Sequence, residues 1–209
     1  MFRKPYLLLL VVAVMSLLAQ PAMAGILFNN GSLLGTDISN TVGLAEVTGS
    51  DAVTDSFHIS TTSNLTSITF GDWTYHPGDL QSINFIIKDS AANTVSHGEN
   101  VSVAIANETQ NLYSFYVSDA TFGLSAQLAA GTYYLTLTNA EAASQSFTYW
   151  DVNSASNSTA SNLVGPIPSE YFAINGNTPT SPVPLPPAFL LLGSGLVGLA
   201  GIRIRIFKK

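Results

Sequence analysis

An all-β fold, an antiparallel β-sandwich, is what the sequence predicts for the middle of this chain. Apolar and polar residues alternate with a period of two, turn-forming clusters separate the alternating runs, and helical spacing is absent from this region. Phe57 and Ile59 alternate with Ser56, His58 and Ser60, and Leu65, Ile68 and Phe70 mark the next strand. Ile83, Phe85 and Ile87 alternate with Asn84 and Lys88, Val101, Val103 and Ile105 form one stripe, and Tyr113, Phe115 and Val117 follow. Phe122, Leu124, Ala126 and Leu128 come next, then Tyr133, Leu135 and Leu137 between threonines, and Phe147-Thr148-Tyr149-Trp150 closes the series. Breaks fall at His76-Pro77-Gly78-Asp79, at Asp89-Ser90-Ala91-Ala92-Asn93 and at Ala129-Ala130-Gly131. These signals amount to about nine or ten strands, and a two-sheet jelly roll holds that number without a free hydrophobic edge.

From Asn153 the chain changes character. Residues 154–161 are small and polar, and Gly165-Pro166-Ile167-Pro168 predicts a stretch outside regular pairing. A last strand is expected through Tyr171-Phe172-Ala173-Ile174, after which residues 175–182 read as an Asn/Thr/Pro/Ser-rich stalk.

Both ends carry targeting signals. Arg3 and Lys4 precede an apolar core from Leu7 to Ala19, Pro21 breaks the helix, and Ala22-Met23-Ala24 supplies the small-x-small site for a signal peptidase. Residues 1–24 therefore read as a signal peptide and Gly25 as the mature N-terminus. At the other end no charge occurs between Glu170 and Arg203. Residues 184–202 would reach roughly 28 Å as a helix, close to a hydrocarbon core of about 30 Å. Arg203, Arg205, Lys208 and Lys209 follow, a cluster expected to stay cytoplasmic. A single C-terminal transmembrane helix is thus predicted, with the ectodomain (residues 25–174) on the far side of the inner membrane.

The ectodomain holds all 13 acidic residues against one basic residue, Lys88, a formal charge of −12 where the whole chain has −6. That balance argues against nucleic acid and against polyanions held by ion pairing. With no cysteine, the exported domain has neither disulfides nor thiolate metal sites and relies on its core.

The tail from Val183 to Lys209 resembles the PEP-CTERM sorting signal of Gram-negative bacteria that make exopolysaccharide. The likeness rests on Val183-Pro184-Leu185-Pro186-Pro187, on Leu190-Leu191-Leu192-Gly193-Ser194-Gly195-Leu196, on Gly198-Leu199-Ala200-Gly201 and on the basic terminus. Val-Pro-Leu-Pro looks like a common variant of the motif, with Leu185 where the family often has Glu. The resemblance implies that Val183, Pro184, Leu185 and Pro186 are recognised by an exosortase, a membrane-embedded transpeptidase that removes the anchor. It implies a final site at the cell surface or in the extracellular matrix. Residues 55–152 are also similar to jelly-roll ectodomains often fused to this tail, in Thr54-Asp55-Ser56-Phe57-His58-Ile59 and Leu128-Ala129-Ala130-Gly131-Thr132-Tyr133 among other stretches.

No catalytic constellation is legible, and neither a cofactor nor a metal is expected. His58 is expected on a solvent face, and His76 and His97 in turns. No His-Glu-x-x-His, Gly-x-Ser-x-Gly or P-loop pattern occurs. Gly193-Ser194-Gly195-Leu196-Val197-Gly198 matches a dinucleotide fingerprint but lies inside the apolar tail, with no acidic residue after it. Asp72 and Asp151-Val152-Asn153 offer oxygens of the kind Ca²⁺ takes, and turn chemistry accounts for them without a metal. Trp73, Tyr75 and Trp150 are candidates for stacking on sugar rings, against the alternative that they are half-buried strand residues. The expected function is that of an exported, non-enzymatic surface or matrix protein, sorted through its tail by signal peptidase and an exosortase-type enzyme. The alternatives are a carbohydrate-binding module of an exopolysaccharide matrix and a secreted hydrolase, the latter requiring two facing carboxylates or a His-containing cleft.

Overall fold

Residues 24–33, 45–153, 159–162, 165–167 and 169–179 are described by a computed structural model. In chain order the strands are β1 (Gly25–Asn29), β2 (Ala45–Glu46), β3 (Ala52–Ile59), β4 (Ser63–Thr74), β5 (Leu80–Asp89), β6 (Thr94–Ser102), β7 (Ala104–Gln110), β8 (Tyr116–Leu128), β9 (Gly131–Ala142), β10 (Tyr149–Trp150), β11 (Ala160–Asn162), β12 (Gly165–Ile167) and β13 (Phe172–Asn177). Among the described residues there is no helix, and so none long and apolar enough to cross a membrane. The signal peptide and the C-terminal helix expected from the sequence lie outside the described residues.

Two antiparallel sheets face each other as a sandwich. In the first, β4 pairs along one side with β13 through residues 64–70 and then with β10 through Asp72 and Trp73, so that β13 and β10 sit end to end. β1 lies outside β13, and β2 outside β10. The other side of β4 pairs along its length with β8, which carries β7. The second sheet runs β12-β11-β3-β9-β5-β6.

Alternation decides which residues face inward. On β3, Val53, Asp55, Phe57 and Ile59 are buried, while Thr54, Ser56 and His58 point away. Tyr133, Leu135 and Leu137 of β9 and Ile83, Phe85 and Ile87 of β5 complete that inner face. The opposing face is Leu65, Ile68 and Phe70 with Phe122, Trp150, Phe172 and Ile174. The three-residue step from Leu65 to Ile68 breaks the period because β4 holds one extra residue relative to β13 at this point, a β-bulge that restores the inward phase. Aromatic rings join the sheets: Phe85 stacks on Phe122 at 4.9 Å, and Phe57 meets Phe28 at 6.0 Å and Phe172 at 6.2 Å.

Three expectations are corrected. Val101, Val103 and Ile105 do not form one strand: β6 ends at Ser102 and β7 begins at Ala104, and the chain crosses between sheets at Val103. Gly165-Pro166-Ile167 does pair, as β12 against β11, with Ser161 opposite Pro166. The proline is accommodated because β12 is an edge strand, where an absent N–H breaks no ladder on the open side. β13 runs to Asn177, into the stretch read as stalk.

Phe57 is buried among Phe28, Tyr133 and Phe172, so Phe57→Ala is expected to lower stability by about 3–5 kcal/mol. His58→Ala, one residue away on the exposed face, should change it by no more than about 0.5 kcal/mol. Denaturant midpoints of the two variants check this directly.

Candidate functional site

A group of polar side chains is buried between β3 and the segment entering β13. Asp55 stands in the inward stripe of β3 and is fully buried. Its Oδ1 accepts the Ser56 N–H at 2.6 Å, and its Oδ2 accepts the Glu170 N–H at 2.7 Å, the Ser169 hydroxyl at 3.3 Å and the Asn30 carboxamide at 3.4 Å. Four donors suit an ionised carboxylate, which can only accept. The same Asn30 carboxamide donates to the Glu170 carbonyl at 2.7 Å and to the Ser169 hydroxyl, while the Asn153 carboxamide donates to the Asn30 carbonyl. Gly31, at φ +93°, brings its backbone against Asn153; any Cβ there would overlap that carboxamide.

Glu170 differs from Asp55. Its exposure is 0 %, and neither carboxylate oxygen has a hydrogen-bond partner among the described residues. Burial, then the nearby Asp55 and Asp151 carboxylates, push its pKa well above the usual carboxylate range. Among the described residues no side-chain cation offsets this: between residues 5 and 202 the only Lys or Arg is Lys88, exposed on β5, and His58, His76 and His97 are exposed as well. The sequence reading passed over this cluster. Asp55 is in phase with Val53 and Phe57, and Glu170 with Phe172 and Ile174, so a carboxylate on a buried strand phase was the available signal.

The aromatic candidates divide. Trp73 and Trp150 are 1 % and 0 % exposed. Trp150 points into the core against Phe70 and Phe172, its indole N–H donating to the Tyr171 carbonyl at 2.7 Å. Trp73 points to the other face of the sheet, where Phe115 covers it, and donates to Asp151 Oδ1 at 2.7 Å. Asp151 reaches that position because Gly71 has no Cβ to collide with its side chain. The expectation that either indole offers a face to a sugar is therefore corrected: both are structural, filled by packing and a buried hydrogen bond. Tyr75 is 43 % exposed, its ring 4.6 Å from Phe115, and it alone of the three presents aromatic surface.

Asp72 is not a turn residue. It sits in β4, buried, with the Ser118 hydroxyl donating to Oδ2 at 3.4 Å and, among the described residues, no partner on Oδ1. Burial raises its pKa well above the usual range, Ser118 partly offsets this, and the Glu108 and Asp79 charges add to it. Burial also acts to raise Asp79, but the hydroxyls of Ser144 and Ser146 and the Ser144 N–H outweigh it and hold that carboxyl below its usual value.

His97 belongs to β6 and not to a turn, which corrects the sequence reading. With Asn84, Thr94 and Glu99 it lines an open cleft of about 340 Å³ on the second sheet. His97 and Glu99 are both exposed there. Among the described residues no three His, Cys, Asp or Glu side chains converge as a metal-ligating group. Ala24 is exposed and immediately precedes β1, whereas Ala22 and the Val183-Pro184-Leu185-Pro186 motif lie outside the described residues. Neither protein-family models nor curated proteins yield a match to this chain.

Because folding raises the Asp72 pKa, the folded state holds a proton that the unfolded chain releases. Its contribution to stability is therefore greatest below the unfolded value, 3.8, and is lost as pH rises toward the raised folded value. As pH rises above 3.8 the wild type should lose stability, and Asp72→Asn should lose less of it over the same interval. Denaturant titrations of both proteins across the range measure the difference.

Proposed function

We propose that this chain is an exported, non-enzymatic surface or extracellular-matrix protein whose C-terminal segment inserts in the inner membrane and directs release by an exosortase-type enzyme. The observation that carries the reading is the agreement of the two terminal signals: Arg3, Lys4 and Ala22-Met23-Ala24 at one end, Val183 to Lys209 at the other, each placing the acidic middle outside the cytoplasm. The position of β1 supports it, since the first paired residue among the described residues is Gly25, the residue expected to follow signal cleavage. A cysteine-free sandwich closed by its own core suits an exported domain, and its two antiparallel sheets support a jelly-roll-like topology. Glycan contact is a second reading, favoured by the half-exposed Tyr75 ring seated on Phe115.

Deleting Val183 to Lys209 should move the domain from the membrane fraction to the periplasm or medium; unchanged fractionation would refute the role of the tail. Intact mass of the surface-recovered protein should correspond to a chain starting at Gly25. For the second reading, Tyr75→Ala should abolish binding on a glycan array while the domain still unfolds cooperatively, and equal binding by the two proteins would dismiss it.

A further inference from the structure

The outer face of the second sheet carries side chains that neither the core nor the buried polar cluster employs. Strand register lays them in two rows: Thr54, Thr136, Ile86 and His97 in one, and Ser56, Tyr134 and Lys88 in the next. Tyr134 is 39 % exposed, so its ring presents aromatic surface to solvent. At the β6 edge of this face a bulge shapes the cleft. Phe85 lies opposite Gly98 and Ile83 opposite Val101, so Glu99 and Asn100 together face Asn84. Asn100 takes a φ of +49°, which asparagine tolerates, and its N–H donates to Asn84 Oδ1 at 2.6 Å. That bond fixes the Asn84 carboxamide and leaves its NH₂ group as a donor. His97 and Glu99, two residues apart on β6, stand on the same side as Ile86. These three line the cleft of about 340 Å³ together with Asn84 and Thr138.

We propose that this face binds a neutral oligosaccharide, with one sugar unit in the cleft and another stacked on Tyr134. The donor set decides the class. Imidazole donates and accepts, Glu99 accepts, the Asn84 amide donates and threonine hydroxyls do both, which is the mixture that sugar hydroxyls need. Ile86 supplies an apolar floor in the cleft, and Tyr134 a flat one for the C–H face of a ring. An acidic polysaccharide is opposed by Glu99 inside the cleft and by the domain's 13 acidic residues. A metal ion is opposed because, among the described residues, no third His, Cys, Asp or Glu joins His97 and Glu99. A peptide added as an extra strand is opposed by the bulge, which interrupts the edge of β6. Two strand spacings and two residues separate Tyr134 from His97, roughly 12 Å. One sugar ring does not span that distance, so the ligand is a chain of sugars and not a monosaccharide. The site lies on the other sheet from Tyr75, and it rests neither on that residue nor on the sorting signal.

The test is binding of the full-length chain in detergent to an array of neutral glucan, mannan and galactan oligosaccharides, with uronate oligosaccharides beside them. The wild type should bind at least one neutral series, tetrasaccharides more tightly than monosaccharides. His97→Ala and Tyr134→Ala, both at exposed positions, should each weaken that binding by about tenfold or more while the domain still unfolds cooperatively. Tyr134→Phe, which keeps the ring, and Tyr75→Ala should stay within about threefold of wild type. A wild type that binds no neutral series, or binds uronates alone, would overturn the proposal. Undiminished binding by His97→Ala or Tyr134→Ala would overturn it as well, and so would loss of binding in Tyr75→Ala, which would assign glycan contact to the first sheet. Should a variant fail to fold, nuclear magnetic resonance of the wild type decides. The bound oligosaccharide should shift the Tyr134 ring and His97 imidazole resonances, and shifts at Tyr75 without them would refute the site.

Discussion

The Asp55 carboxylate is the constraint on which the closure of this sandwich depends. It lies at a position where strand alternation demands an apolar side chain, between Val53 and Phe57. Its lone pairs are occupied by donors from Ser56, Asn30, Ser169 and Glu170, so the first and last parts of the domain meet on one acceptor. Apolar burial is non-directional and brings two sheets together without specifying which edge segments finish them. Hydrogen bonds to a buried charge are directional and worth roughly 1.5–3 kcal/mol each. They select the arrangement in which β13 lies beside β4 with the segment before it turned under β3.

The remaining architecture follows from the need to bury aromatic surface in a chain without disulfides. Phe57, Phe85, Phe122, Phe172 and Trp150 fill the space between the sheets. Trp73 is buried on the far side of the first sheet by Phe115, which makes a small second cluster with Tyr75 and Tyr149. A domain with 13 carboxylates and one lysine has almost no internal means of neutralising a buried acid. Hydroxyls and carboxamides do this work around Asp79 and Asp55, and Glu170 is the place where they are missing.

The long strands were legible because each is bounded by turn residues and shows its inward phase over several residues, as in Ile83-Phe85-Ile87 and Tyr133-Leu135-Leu137. Two-residue and three-residue strands such as β2, β11 and β12 carry no periodicity, and their pairing is decided by neighbours distant in sequence. The full burial of Trp73 was not legible for a related reason: alternation puts it on the outer face, and the loop before β8 covers it there. The polar cluster was legible in part. Asp55 and Glu170 occupy buried phases, which flags each alone, but nothing local says that residues 115 positions apart share a hydrogen bond of 2.7 Å. That information resides in strand order, which period-two patterns leave open.

Denaturant unfolding of Asp55→Asn and Ser169→Ala tests the central claim most directly. If Asp55 is the acceptor that closes the domain, Asp55→Asn leaves several donors facing a poorer acceptor and costs at least about 3 kcal/mol, clearly more than Ser169→Ala, which removes one donor. An Asp55→Asn protein within about 0.5 kcal/mol of wild type, or no less stable than Ser169→Ala, would contradict the account.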